Sequence, residues 1–327
     1  MSFSRIQNVT GLPDTLRGGV VAIGNFDGVH LGHQSVLNSA LQSSVSGPRI
    51  ALTFEPHPRQ FFQPDITLSR ITPAAQKAAI IEAIGFDAVI EQPFTGGFSK
   101  LSADDFVSQI LVEGLGAKQA VTGFDFHFGA KRQGGPAFLM EAGKRHGFAV
   151  TLVDAFRDDS AEVVSSSRIR DDLANGDLEK ANALLGYRHR VAAPISGGKQ
   201  LGRTLGYPTA NMALPEDTPL AHGIYAVRFH RPDGSIRDGV ASFGRRPTVD
   251  EHGAPLLETF VFDFSGDLYG EHCMVSLVAY LRGEEKFNGL DALKEQMDKD
   301  AEQARLILCA LEPLSELDQK LTFKGQG

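Results

Sequence analysis

Gly24 to His33 reads GNFDGVHLGH, and the meaning of these ten residues decides the fold. They follow a continuous apolar run, Val20, Val21, Ala22 and Ile23, and lead into a stretch from Gln34 to Leu41 that suits a helix. Such a run has the character of a strand buried on both faces, as in a parallel sheet. His30 and His33 stand three residues apart where the helix should begin, and so share one of its faces. A helix start offers an anion amide groups that lack a carbonyl partner, together with the positive end of the helix dipole. Glycines 24, 28 and 32 let a polyphosphate approach the backbone closely. Two histidines at this spacing, taken alone, are more often surface residues or half of a metal site. Here the strand, three glycines, Asp27 and both imidazoles come in order. Together they predict a nucleotide-phosphate site at the carboxyl end of the first strand, with Gly24, Phe26, Asp27 and Gly32 in its loop.

Around this segment, β-type runs over 19–24, 49–54, 87–91, 119–123 and 148–154 alternate with helical patterns over 32–43, 74–84, 103–113 and 136–146. Five strands alternating with helices predict a parallel α/β sheet that binds ligands beyond the carboxyl ends of its strands. After Arg170 the pattern changes. A charged helix over 171–185, read as a bridge with a solvated face, is followed by β-like runs over 188–196, 223–230, 236–243, 257–264 and 273–281. Pro232-Asp233-Gly234 reads as a hairpin turn, and a last helix is expected over 289–311. Short strands closed by one helix predict a small antiparallel β-barrel. The expected domains are 1–186, which includes the linker helix 171–186, and 187–327.

A chain of 327 residues has room for two cores. With 42% apolar and 22% charged residues it has the composition of a globular protein. A net charge of −8 argues against a general nucleic-acid binder, though not against a local phosphate site. Cys273 and Cys309 are the only cysteines, too few for a disulfide framework, and packing is their expected role. No apolar run approaches the roughly 20 residues of a membrane span, and the first eleven residues lack a signal peptide's apolar core. A cytoplasmic protein without membrane contact is expected.

Further segments fall at the ends of predicted strands. TFEPHP, Thr53 to Pro58, holds His57 in a proline-stiffened loop. In GFDFHFG, Gly123 to Gly129, the phenylalanines suit either plain core or the wall of a flat aromatic substrate. VSSSRIR, Val164 to Arg170, offers Ser166 and Ser167 as helix caps or, with Arg170, as a grip on ATP phosphates. In the second half, GGKQLGRTLGYPTAN, residues 197–211, is glycine-rich, but no G-K-[S/T] follows and a Walker A loop is excluded. Thr209 and Asn211 share one side of an extended segment and offer hard oxygen ligands suited to Mg²⁺. Glu258 lies in a β-like run whose other face carries Leu257, Thr259, Val261 and Asp263.

In order, the first-half segments resemble G-x-F-D-x-x-H-x-G-H, T-F-x-P-H-P, G-x-D-F-x-F-G and I-S-S-T-x-x-R. PTAN, S-F-G-x-R-P-T and L-E-x-x-x-x-D-F-x-x-D-L-Y-G follow in the second half. The chain is thereby identified as a member of the bacterial bifunctional FAD synthetases (riboflavin kinase/FMN adenylyltransferase), over roughly residues 15 to 310. Val164 stands for the usual Ile and Ser167 for the usual Thr, which keeps the hydroxyl. Gly197-Gly198 and Ala193 replace a His-Gly and an upstream Gly before the kinase flap.

The resemblance implies a nucleotidylyltransferase-type sheet followed by a riboflavin kinase-like barrel. Riboflavin would be phosphorylated by ATP to FMN, and FMN adenylylated to FAD with release of pyrophosphate. Glu258 would be the general base of the kinase, Thr209 and Asn211 would hold Mg²⁺–nucleotide, and a flap carrying Gly198, Gly202 and Arg203 would close over the phosphates. His30, His33 and Arg170 would stabilise charge in adenylyl transfer. His57, Asp125, Phe126 and Phe128 are the candidates for contact with the flavin. A single-activity enzyme and a flavin-binding regulator are the alternatives, and the intact Thr209, Asn211, Glu258 and histidine sets weigh against both.

Overall fold

A computed structural model describes residues 3–65, 67–197, 207–245 and 255–324. The chain divides into two compact units, Met1–Leu68 with Thr72–Ser166, and Ser69–Ile71 with Ser167–Gly327.

In the first unit the strands are β1 (Ser4–Ile6), β2 (Val20–Ile23), β3 (Arg49–Glu55), β4 (Ala88–Pro93), β5 (Gln119–Gly123) and β6 (Ala149–Val153). Among the described residues they form one six-stranded parallel sheet in the order β1-β4-β3-β2-β5-β6. Five strands were expected. The added one, β1, is a three-residue edge strand too short to show a period, with Ser4 opposite Ala88. The apolar run before GNFDGVHLGH is therefore the second strand. It is a central one, buried at every residue. The order runs outward from β2 in one direction and from β5 in the other, which makes the crevice beyond their carboxyl ends the topological switch point.

Helices α1 (Leu31–Leu41), α2 (Pro58–Phe62), α3 (Ala74–Ile84), α4 (Ala103–Asp105) and α5 (Pro136–His146) lie between the strands. The third and fifth match the expected spans. The expected helix over 103–113 continues beyond α4 as wider π turns over Phe106–Gly114, and Leu115 N–H donates to the Ile110 carbonyl at 2.9 Å. These turns bring Phe106, Val107, Ile110 and Leu111 into one core with Val21, Ile23, Ile50, Leu52 and Ile90 of the sheet. The alternate sheet residues Val20, Ala22, Ala51 and Val121 are also buried, on the opposite face.

The second unit carries α6 (Ser166–Asn175, its first residue in the other unit) and α7 (Leu178–Leu185). One helix over 171–185 was expected. The break falls at Gly176, whose φ of 83° is left-handed and whose Cβ, if present, would lie 3.2 Å from the Tyr280 ring. Asn182 on α7 is buried: its Nδ2 donates to the Leu277 carbonyl and its Oδ1 accepts from His189 N–H.

The barrel is built from β7 (Arg190–Ser196), β8 (Thr209–Ala213), β9 (Gly223–His230), β10 (Ile236–Gly244), β11 (Leu256–Val261) and β12 (His272–Arg282). It closes in the order β10-β11-β8-β7-β12-β9 with antiparallel pairs throughout. The strand missing from the expected five is β8, the PTAN segment itself. The predicted hairpin joins β9 to β10, with Gly234 at φ 81° and Ser235 N–H donating to Asp233. On β11, Leu257, Thr259 and Val261 point inward as expected. Asp263 does not, because the strand ends at Val261; Asp263 is exposed and paired with Arg305 at 2.9 Å. Helix α8 (Leu290–Cys309) packs Ala304 and Leu308 against Ala226, Val240, Phe262 and Val278, and α9 (Glu316–Thr322) follows it. Cys273 is buried, with its thiol pushed up to about 12 chiefly by burial, but Cys309 is exposed and does not pack. No described helix is long and apolar enough to cross a membrane.

On β9 His230 is buried on the face it shares with Ala226, with Nε2 2.9 Å from Ser276 Oγ. Burial above all, then the cationic Arg190 and Arg228, lower its pKa from 6.5 to about 3. The unfolded chain therefore binds a proton that the native barrel refuses, and stability present above pH 6.5 is lost as pH falls toward 3, by about 1.4 kcal/mol per unit at most. Denaturant melts of the second unit's transition between pH 7 and 5 should show this slope. His230→Phe should flatten it, and an equal slope in the variant would assign the effect elsewhere.

Candidate active sites

The loop after β2 is held by buried hydrogen bonds. Asp27, 1% exposed, accepts from Thr72 N–H at 3.1 Å, and Thr72 Oγ1 accepts from Gly28 N–H at 2.8 Å. Ser166 Oγ donates to the Asp27 carbonyl at 2.9 Å. Phe26, also buried, packs its ring against Gly24 and edge-on to His33 at 5.5 Å. Phe26 and Val29 have left-handed φ of 51° and 37°, a conformation unusual for residues with side chains.

His30 is the N-cap of α1, and its Nδ1 accepts from His33 N–H at 3.3 Å. In the neutral ring that bond puts the proton on Nε2, which is then a donor. The two imidazoles stack 3.7 Å apart at 19°. Gly32 leaves room for this pair, since a Cβ there would come 3.1 Å from the His30 ring. Leu31 and Gly32 occupy the first turn, where helix geometry supplies no carbonyl for their amides. Among the described residues no group of three or more His, Cys, Asp or Glu gathers as a metal site.

Ser167, exposed, and Arg170 lie on α6 in the second unit, where Arg170 Nε donates to the Ser69 carbonyl at 2.6 Å. His57 caps α2 by accepting Arg59 N–H at 3.1 Å. Asp125 is exposed. Phe126 is partly buried and stacks at 5.5 Å on Phe128, which lies in the core against Phe106 and Phe138.

On the barrel, Glu258 of β11 is directly opposite Asn211 of β8 on one side and Ser242 of β10 on the other. Directly opposed residues point to the same face, with Cβ atoms about 5 Å apart, and Thr209 shares that face two residues from Asn211. Asn211 is 5% exposed, and its Nδ2 donates to the Thr209 carbonyl at 3.3 Å. Its Oδ1 is buried and accepts no hydrogen bond among the described residues. The flap positions Gly198, Gly202 and Arg203 lie outside the described residues.

Three residues make contacts here that their sequence context does not show, although Thr72-Pro73 reads as a helix start. Thr72 binds the β2–α1 loop at Asp27 and Gly28, and Lys77, 0% exposed, is a lysine on a buried helix stripe beside Ile80 and Ile81, which was the available signal. Tyr207, immediately before PTAN, donates its hydroxyl to Asp298 and packs at 4.7 Å on Phe260. Burial, then Asp298, push its hydroxyl up to about 12, so it remains a donor at neutral pH.

Two family patterns match the chain, FAD synthetase over residues 12–168 and riboflavin kinase over residues 185–308. A bifunctional riboflavin kinase/FMN adenylyltransferase of Haemophilus influenzae is 41% identical over 292 residues, covering 89% of this chain and 94% of the relative. The chain belongs to the bacterial bifunctional riboflavin kinase/FMN adenylyltransferase family. It phosphorylates riboflavin to FMN with ATP and adenylylates FMN to FAD. Similarly named enzymes of Pseudomonas fluorescens (40%, 89% of this chain and 93% of the relative) and Escherichia coli K12 (36%, 92% and 95%) are also similar. A crystal structure described as a macrolide-efflux protein from Streptococcus pneumoniae has the same fold, with a TM-score of 0.81 and 28% identity over 93% of this chain and 99% of that one.

If the Tyr207–Asp298 bond anchors the start of β8, Tyr207→Phe should cost about 1–3 kcal/mol of barrel stability. A denaturant melt checks this, with conversion of supplied FMN to FAD unchanged. An unaltered midpoint would contradict the anchoring role.

Proposed function

We propose that each activity of the family is carried by the residues that the sequence motifs single out. Residues 1–186 would form the adenylyl-transfer domain and 187–327 the kinase domain. The buried Asn211 Oδ1 opposite Glu258 is the observation that carries the kinase assignment. A buried acceptor with no donor is costly unless a ligand completes it. Its hard oxygen, with Thr209 beside it, fits Mg²⁺. Bound there with ATP, the ion would neutralise charge on the transferring phosphoryl group. Glu258 takes the proton from the ribityl 5′-hydroxyl of riboflavin as that oxygen attacks the γ-phosphate of ATP, and ADP leaves as the bridging P–O bond breaks. Gly198, Gly202 and Arg203 cover the phosphates.

In the first domain the FMN phosphate is already a nucleophile and needs no base. It attacks the α-phosphate of ATP, and pyrophosphate leaves. His30 and His33 bear the added charge by donated hydrogen bonds. Gly24, Phe26, Asp27 and Gly32 shape the backbone around the triphosphate, and Ser166 contacts it. His57, Asp125 and Phe126 face the flavin, with Phe128 as the core support behind Phe126. The acidic balance of the chain accords with small-molecule substrates rather than nucleic acid, in the cytoplasm.

Single variants separate the halves. Glu258→Gln should lower FMN formation from riboflavin by about 10²- to 10⁴-fold while supplied FMN is still converted to FAD. His33→Ala should do the reverse, with FAD formation lost by a factor of about 10² and FMN still accumulating. Chromatography of the flavins reads both. Undiminished FMN formation by the Glu258 variant, or undiminished FAD formation by the His33 variant, would remove that residue from its role.

A further inference from the structure

Lys77 of α3 has no solvent exposure. An ammonium is among the costliest groups to bury, and it persists in an interior where its donors meet oxygen. Its Nζ donates to Glu55 Oε1 at 2.7 Å, Thr53 Oγ1 at 2.8 Å and the Asn25 carbonyl at 3.3 Å. Those are three acceptors for the three hydrogens of an ammonium. Thr53 Oγ1 in turn donates to the same Asn25 carbonyl at 3.0 Å.

The acceptors come from two loops. Asn25 is the second residue of GNFDGVHLGH, between β2 and the histidine pair. Thr53 and Glu55 end β3, and Glu55 immediately precedes Pro56 and His57. Thr72, two residues before α3 begins, holds Asp27 and Gly28 of the first loop. The start of α3 thus grips the β2–α1 loop at Asn25, Asp27 and Gly28, and Lys77 ties that loop to the end of β3 as well.

We infer that Lys77 is a positioning residue for adenylyl transfer. It sets the loop that carries His30 and His33 in register with the loop that carries His57, so that the FMN phosphate meets the α-phosphate of ATP in line. This inference rests on the adenylyl-site assignment above. Its donors face protein oxygens, so the role acts on alignment of the reacting groups rather than on affinity for ATP, and a misplacement of about 1 Å is enough to cost 10²-fold in rate.

Lys77→Met keeps the stem and removes the charge. The expected result is a kcat for FAD formation about 10- to 100-fold lower, with KM for ATP within about threefold. FMN formation by the same protein should be unchanged, and the first unit's melting transition should remain in place. A kcat within threefold of wild type overturns the inference. So does a loss of ATP affinity with the first unit's melting transition in place, which would make the lysine an ATP-binding residue instead. Glu55→Gln covers the case of a Met variant that does not fold, because Glu55 is only partly buried and Lys77 keeps its other two acceptors. Its kcat should fall about 3- to 10-fold with the melting transition in place, and an unchanged kcat overturns the inference. His33→Ala measured in parallel separates the two readings. Intact FAD formation in that variant defeats the site assignment itself, whereas its loss beside an unaffected Lys77→Met defeats only the positioning role.

Discussion

The turn from β2 into α1 depends on hydrogen bonds that it receives from outside itself. Phe26 and Val29 hold left-handed backbone angles, a strain of about 1–3 kcal/mol each, and the loop contributes little local structure to offset it. What holds it is a set of buried polar contacts around Asp27, Thr72, Ser166 and Lys77. The loop's shape then fixes where His30 caps α1, and the cap fixes the stacked pair with His33. Phosphate chemistry needs preformed donors of this kind, since a site that must reorganise when charge develops loses much of its advantage.

The barrel reaches a comparable end with sheet geometry. Strand alternation sends Leu257, Thr259 and Val261 inward and leaves Glu258 on the other face. Antiparallel register then brings Glu258 opposite Asn211. One unit stores its precision in a strained turn held by side chains, the other in a ladder of backbone hydrogen bonds.

Legibility in the sequence followed the range of the interactions. GNFDGVHLGH, the helices over 74–84 and 136–146 and the turn at Pro232-Asp233-Gly234 are local patterns, and each has its expected structure. Strands β1 and β8, of three and five residues, exist because a neighbour pairs with them, and short segments carry no period of their own. The break at Gly176 was visible as a glycine, but the Tyr280 ring packed against it was not. The contacts of Lys77, Thr72 and Tyr207 are hidden in the sequence for a related reason: their partners lie 22 to 91 residues away, although Thr72-Pro73 itself reads as the start of a helix. A buried lysine also contradicts the ordinary expectation for its type.

The central claim is that this one chain carries riboflavin through FMN to FAD at two separate sets of residues. The most direct measurement is a time course of the purified protein with riboflavin, ATP and Mg²⁺, with the flavins separated by chromatography. The account predicts that FMN forms first and that FAD then accumulates at its expense. FMN that is never converted to FAD would contradict the role given to the β2–α1 loop, and the formation of neither product would contradict the account as a whole.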